Sequence, residues 1–128
     1  MTTQARRSTP VARFRLRIAV GELIAIGPGK IALLEAIRDH RSITAAAKAL
    51  EMSYRRAWVM LDEVNSALKR PAVDTATGGR HGGGSVLTPV GEEIVERYRR
   101  IEQVAAQACA DDLDALIGLI GKPRGSRG

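Results

Sequence analysis

A mainly α-helical fold with one small β-hairpin set among the helices is predicted by three observations. Apolar residues make up 45% of the 128-residue chain but aromatics only 3%, so the core must be built from Ala, Leu, Ile and Val, a palette suited to packed helices. Apolar positions recur at helical spacing in three successive stretches between Gly27 and Leu68, two of them meeting across a tight turn at Glu51-Met52. Periodicity then stops at Pro71, gives way to a Gly-rich run, and resumes after Pro89. The length suits one compact domain plus one extended element, with little room for a separate effector domain.

Residues 1–12 are rich in Thr, Ser, Arg and Pro; they cannot repay the entropy of ordering and are expected to form a flexible basic arm. From Arg13 to Val20 the pattern alternates, with Phe14, Leu16, Ile18 and Val20 on one side and Arg13, Arg15 and Arg17 on the other, the period of a half-buried strand. Gly27-Pro28-Gly29 punctuates the chain, and Ile31, Leu34 and Ile37 carry a first helix to about His40. Ser42 suits the N-cap of a short helix from Ile43 to Leu50, and Ser53 that of a helix reaching about Leu68, stopped by Pro71. Short β-compatible pieces at 72–75 and 85–87 flank the Gly-rich stretch, which reads as a hairpin with a long tip. Thr88 as N-cap and Pro89 at the first helical position start a long helix to about Leu119. The tail, 121–128, is expected to be disordered.

The order helix, short helix, tight turn, longer helix, hairpin is that of a winged helix-turn-helix, here placed in residues 13–90 with a dimerisation helix over 91–120. The net charge of +6 and a pI near 10.2 call for a polyanionic partner, nucleic acid first and an anionic membrane surface second. In the third helix Ala57, Leu61, Val64 and Leu68 share the buried stripe. That leaves Ser53, Tyr54, Arg55 and Arg56 at the amino-terminal turn facing outward. Arg there can bond bidentately to guanine in the major groove, so Arg55 and Arg56 are the first candidates for reading bases. Thr44 and Lys48 on the second helix are placed to reach phosphates, and Arg80 and His81 ride on the hairpin tip as the wing's contacts.

Taken singly, these features have plainer readings: Ala-rich helices usually just pack, Arg pairs are usually a solvated face, and Gly runs are usually linkers. Their order and spacing favour the DNA-binding reading. The rival is a non-specific architectural DNA-binding protein, for which basic charge and dimerisation suffice. Alanine at Arg55 and Arg56 separates the two, relaxing sequence preference in a specific regulator and weakening all DNA equally in an architectural one. Enzymatic chemistry finds no support: Cys109 lies in an Ala-rich helix without a nearby base, and no Ser, His and acid spacing suggests a catalytic site. A single cysteine and two widely separated histidines predict neither disulfide nor metal site nor cofactor, and fit a reducing cytoplasm. No apolar run approaches the length of a membrane span, and no export signal is expected.

These residues also resemble a family, the amino-terminal DNA-binding domain of the ModE-type molybdate-responsive transcriptional regulators, with a LysR-like helix-turn-helix. The resemblance runs from about Arg15 to Glu102. It is carried by Gly27-Pro28-Gly29-Lys30-Ile31-Ala32-Leu33-Leu34, Ser42-Ile43-Thr44-Ala45-Ala46-Ala47, Met52-Ser53-Tyr54-Arg55-Arg56-Ala57-Trp58, Thr75-Ala76-Thr77-Gly78-Gly79 and Leu87-Thr88-Pro89-Val90-Gly91. The run ending at Trp58 is the most specific. The resemblance implies that the third helix reads the major groove, that the Gly-rich hairpin is the wing, and that the domain dimerises. Molybdate-sensing members carry carboxy-terminal oxyanion-binding domains, and this chain is expected to be a single-domain relative, binding operators constitutively, answering to a separate effector-sensing partner, or serving another metal's pathway.

Along the last helix Ile94, Tyr98, Ile101, Ala105 and Ala108 recur at four-three-four-three spacing, a seam suited to a partner helix, with packing on the chain's own domain the alternative for Ile94 and Tyr98. Leu113, Leu116, Ile117 and Ile120 form a second stripe that needs cover. Together they predict a homodimer bound to a pseudo-palindromic operator.

Overall fold

The computed structural model describes residues 9–75 and 84–121. Around one apolar core it sets three helices: α1 (Pro28–His40), α2 (Ile43–Ala49) and α3 (Tyr54–Ala67). The serine caps anticipated from the sequence are in place. Ser42 Oγ accepts from the Ala45 amide at 3.1 Å and Ser53 Oγ from the Arg56 amide at 3.0 Å, each satisfying an amide that the first helical turn leaves without a partner. Ile31, Leu33, Leu34 and Ile37 of α1, Ile43, Ala46 and Ala47 of α2, and Ala57, Met60, Leu61 and Val64 of α3 are buried. Alanines on α2 let it lie close to its neighbours.

The turn between α2 and α3 has a defined closure. Glu51 takes a left-handed φ of 57°, the Met52 amide donates to the Ala47 carbonyl at 3.0 Å, and the Glu51 amide donates to that of Lys48 at 3.1 Å. This is the paired hydrogen-bond pattern of a Schellman stop, which ends one helix and re-aims the chain for the next. The half-buried Met52 packs back on the core.

After α3 the chain forms an antiparallel hairpin, β3 (Val73–Thr75) with β4 (Ser85–Leu87), in the register Val73 opposite Leu87 and Thr75 opposite Ser85. Its base is latched to the helices. Asn65 Oδ1 accepts from the Ala72 amide at 2.8 Å, Thr88 Oγ1 donates to the Pro71 carbonyl at 2.7 Å, and the Ser85 amide donates to the Arg41 carbonyl at 3.1 Å. Helix α4 (Pro89–Ala108) begins at Pro89 as expected, with Thr88 Oγ1 accepting from the Gly91 amide at 3.1 Å. The architecture is a winged helix-turn-helix.

Two expectations are corrected. The segment from Arg13 does not form a long half-buried strand: only β1 (Ile18–Val20) is a strand, and Phe14, Ile18 and Val20 are exposed. Instead β1 turns back through Gly21-Glu22 into β2 (Leu23–Ile26), with Val20 opposite Leu23 and an irregularity between Ile18 and Ala19. Of the alternating stretch only Ile18–Val20 enters this two-stranded ribbon, whose second strand carries the buried Ala25. The last helix is also not continuous. It breaks at Cys109, whose φ of −104° and ψ of 11° leave the helical basin, before α5 (Ala110–Gly118) restarts with Asp111 and Asp112 in its first turn, where acidic groups favour a helix start.

Two compact units result, one spanning Arg15–Arg100 and the other, in its described residues, combining 9–14 with 101–121. In the second, Leu113 and Ile117 are half-buried, while Ile101, Val104, Leu116, Leu119 and Ile120 are exposed. The expected arm and tail fall largely outside the described residues.

Candidate nucleic-acid interface

One side of α3 is fixed by Ala57, Leu61 and Val64 in the core, so its opposite side must face outward. Ser53, Tyr54, Arg55 and Arg56 are all exposed at its amino-terminal end, and Thr44 and Lys48 are exposed on α2. The structure therefore brings six of the expected contacts to the surface of one helix-turn-helix. Arg80 and His81, assigned to the wing, lie outside the described residues.

The sequence reading gave no role to Trp58. Tyr54 and Trp58, one turn apart on α3, pack edge to face with ring centroids 6.2 Å apart and an interplanar angle of 76°. They remain 54% and 37% exposed respectively, so an aromatic pair stands on the outer surface beside Arg55. Their four-residue spacing was the available signal, masked because an aromatic on a helix usually reads as core.

Arg55 and Arg56 do not share an environment. Arg56 lines a groove of about 240 Å³ with Arg15, Arg17, Lys30, Val59, Met60 and Glu63, floored by Gly27, Pro28 and Gly29. Lys30 is buried, bonded to the Ile24 carbonyl and ion-paired with Glu63 at 3.0 Å. Arg55 does not line this groove. The arginines preceding β1, read only as one face of a strand, thus meet the flank of α3.

The part of α4 up to Arg100 is held against α1 by a two-point ion pair. Arg99 donates to Glu35 of α1 through Nε at 2.8 Å and through its terminal nitrogen at 2.6 Å. That hydrogen bonding holds the Glu35 carboxyl below its ordinary pKa, against the opposing effect of partial burial. Tyr98, expected on the dimer seam, is instead 2% exposed, and its hydroxyl donates to the Leu16 carbonyl at 2.8 Å. Ile94 is half-buried against the same core. Both therefore follow the alternative of packing on the chain's own domain, because the seam's periodicity is also that of a helix covering a core. Ile101 and Ala108 are exposed and Ala105 is half-buried.

Among the described residues no helix is long and apolar enough to cross a membrane, and no cluster of His, Cys, Asp or Glu could hold a metal ion.

Comparison with known proteins agrees with this geometry. The model of the bacterial regulatory helix-turn-helix protein, lysR family, matches residues 29–92, from the start of α1 to the start of α4. The molybdenum transport protein ModE of Azotobacter vinelandii is 41% identical over 84% of this chain and 40% of its own length. The DNA-binding transcriptional dual regulator ModE of Escherichia coli K12 is 35% identical over 87% of this chain and 45% of its own length. The chain thus spans less than half the length of these relatives. Among solved structures, the DNA-binding domain of CbnR in complex with DNA superposes with a TM-score of 0.55 at 20% identity, over 69% of this chain and 95% of that one, a likeness of fold. With half of its residues matched by that family's model, the chain belongs to the lysR family of bacterial regulatory helix-turn-helix proteins.

Proposed function

We propose that the chain is a sequence-specific DNA-binding regulator of the ModE type, acting as a homodimer that places α3 of each protomer in successive major grooves of a pseudo-palindromic operator. The carrying observation is the amino-terminal end of α3, where Tyr54, Arg55 and Trp58 stand exposed on a helix whose opposite face is locked in the core. Arg55 is the base reader in this account, Tyr54 and Trp58 supply apolar contact to thymine methyls and sugars, and Thr44 and Lys48 hold the backbone. The exposed apolar residues Ile101, Val104, Leu116 and Leu119 supply the surface on which two protomers meet. The names of its relatives support a role in molybdenum or oxyanion metabolism, with the effector signal arriving through this chain or a separate partner.

Selection of duplexes from a random pool, followed by titration of the enriched and a scrambled duplex, tests this reading. The expected outcome is a two-fold-related motif bound at least about a thousandfold more tightly than random DNA, at two protomers per duplex by sedimentation. Equal, salt-sensitive affinity for every duplex would replace it with the architectural reading.

A further inference from the structure

We infer that the groove between the residues preceding β1 and the flank of α3 is a phosphate-binding site, and that its occupant is a DNA phosphodiester bordering the base-reading end of α3. This inference rests on the DNA-binding reading and divides the two arginines of α3 between different tasks.

Three arginines line it from two separate parts of the chain: Arg15 and Arg17 ahead of β1, and Arg56 in the first turn of α3. None of the three has an ion-pair partner among the described residues. The fourth cation of the groove, Lys30, is neutralised by Glu63, the groove's only acid. A concave site lined by three arginines without acidic partners among the described residues attracts an oxyanion, and arginine's planar fork suits the paired oxygens of a phosphate.

Glycines 27 and 29 form part of the wall. A Cβ added at Gly27 would come within 3.1 Å of Ile24 Cγ2 and 3.6 Å of Arg17 Cγ, and one at Gly29 within 3.3 Å of Met60 Cε. Glycine at 27 therefore makes room for the Ile24 side chain, with the Arg17 stem in ordinary van der Waals range beside it. Helix α1, which starts here, has no side-chain cap and no acidic residue in its first turn, so its own start adds no negative charge to that of Glu63. At about 240 Å³ the groove is smaller than the roughly 300–1,000 Å³ of pockets that enclose small organic ligands, and it suits one phosphate group.

Position selects the source of that phosphate. Arg56 follows Arg55 directly, so a helix presenting Arg55 to base edges brings the Arg56 flank to the backbone bordering the same groove of the DNA.

The test compares the exposed double variant Arg15→Ala/Arg17→Ala with an equal-charge control, Lys69→Ala/Arg70→Ala, at the opposite end of α3. Both are titrated with the enriched and the scrambled duplex across a salt series. The first variant is expected to lose about tenfold on both duplexes and to flatten the slope of log affinity against log salt by about one per protomer, as loss of one phosphate contact requires. The control is expected to stay within about twofold of the parent chain. An unchanged first variant, or an equal loss in both, would overturn the assignment. So would saturation of the Arg15 and Arg17 side-chain resonances by inorganic phosphate alone in a protein whose DNA affinity the variant leaves intact, which would identify a free oxyanion as the occupant. If the parent chain binds no duplex, the DNA-binding reading itself has failed, and that result is separable because the parent is titrated first.

Discussion

At Gly91 a hydrogen atom stands where any side chain would collide. A Cβ there would lie 2.2 Å from the Ala72 carbonyl oxygen and 3.1 Å from its carbon, and that same oxygen accepts the Thr88 amide at 2.9 Å. Neither α4 nor the hairpin base can retreat without breaking the latch, so Gly91→Ala should cost about 3 kcal/mol in urea unfolding despite alanine's better helix propensity. Glu51 makes the opposite case. Its left-handed φ of 57° strains a residue bearing a Cβ, so Glu51→Gly should be neutral or stabilising by about 0.5 kcal/mol, whereas glycine at the neighbouring helical position Ala49 should destabilise by about 1 kcal/mol. Ser42, Ser53 and Thr88 were readable as caps because capping is a local chemistry. Gly91 was not, since the atom it avoids lies nineteen positions away in sequence, at Ala72.

Among the elements, α1 to α3 matched their sequence boundaries within a residue or two, because a buried stripe at helical spacing and a cap are contained in the segment itself. The β1–β2 ribbon was misread for the converse reason. Alternation between Phe14 and Val20 carries a strand's period, but only Ile18–Val20 pairs, and the partner Leu23–Ile26 follows a two-residue turn whose signal, Gly21 after a β-branched residue, is short. The α1–α4 junction offers a pH test. Glu35 is held below its ordinary pKa by Arg99, so the native state binds its proton less readily than the unfolded chain. The resulting stabilisation is present above the unfolded value of 4.5 and is lost as pH falls through the lowered native value. Arg99 is 46% exposed, so solvent screening keeps the pair weak. Glu35→Gln should therefore lower stability by about 0.5 kcal/mol at neutral pH and by nothing measurable near pH 2. A pH-independent difference would mean that packing, and not the ion pair, sets the cost.

For the whole molecule, net charge and composition pointed to a basic helical protein, and the order of elements pointed to the winged helix-turn-helix. What no sequence pattern could supply was the partition of surface between tasks. Tyr98 and Ile94 share the seam's periodicity yet serve the chain's own core, while Arg55 and Arg56 are adjacent in sequence yet face different surroundings. Such distinctions arise only when distant segments are packed together.

Whether the amino-terminal end of α3 reads sequence is decided by the ratio of affinities for the enriched and scrambled duplexes, measured for the parent chain and for Arg55→Ala. Loss of one bidentate contact to a base predicts a fall of about 1–3 kcal/mol on the enriched duplex with little change on the scrambled one, collapsing the ratio. An equal loss on both duplexes, or a ratio left intact, would contradict the assignment of Arg55 as the base reader.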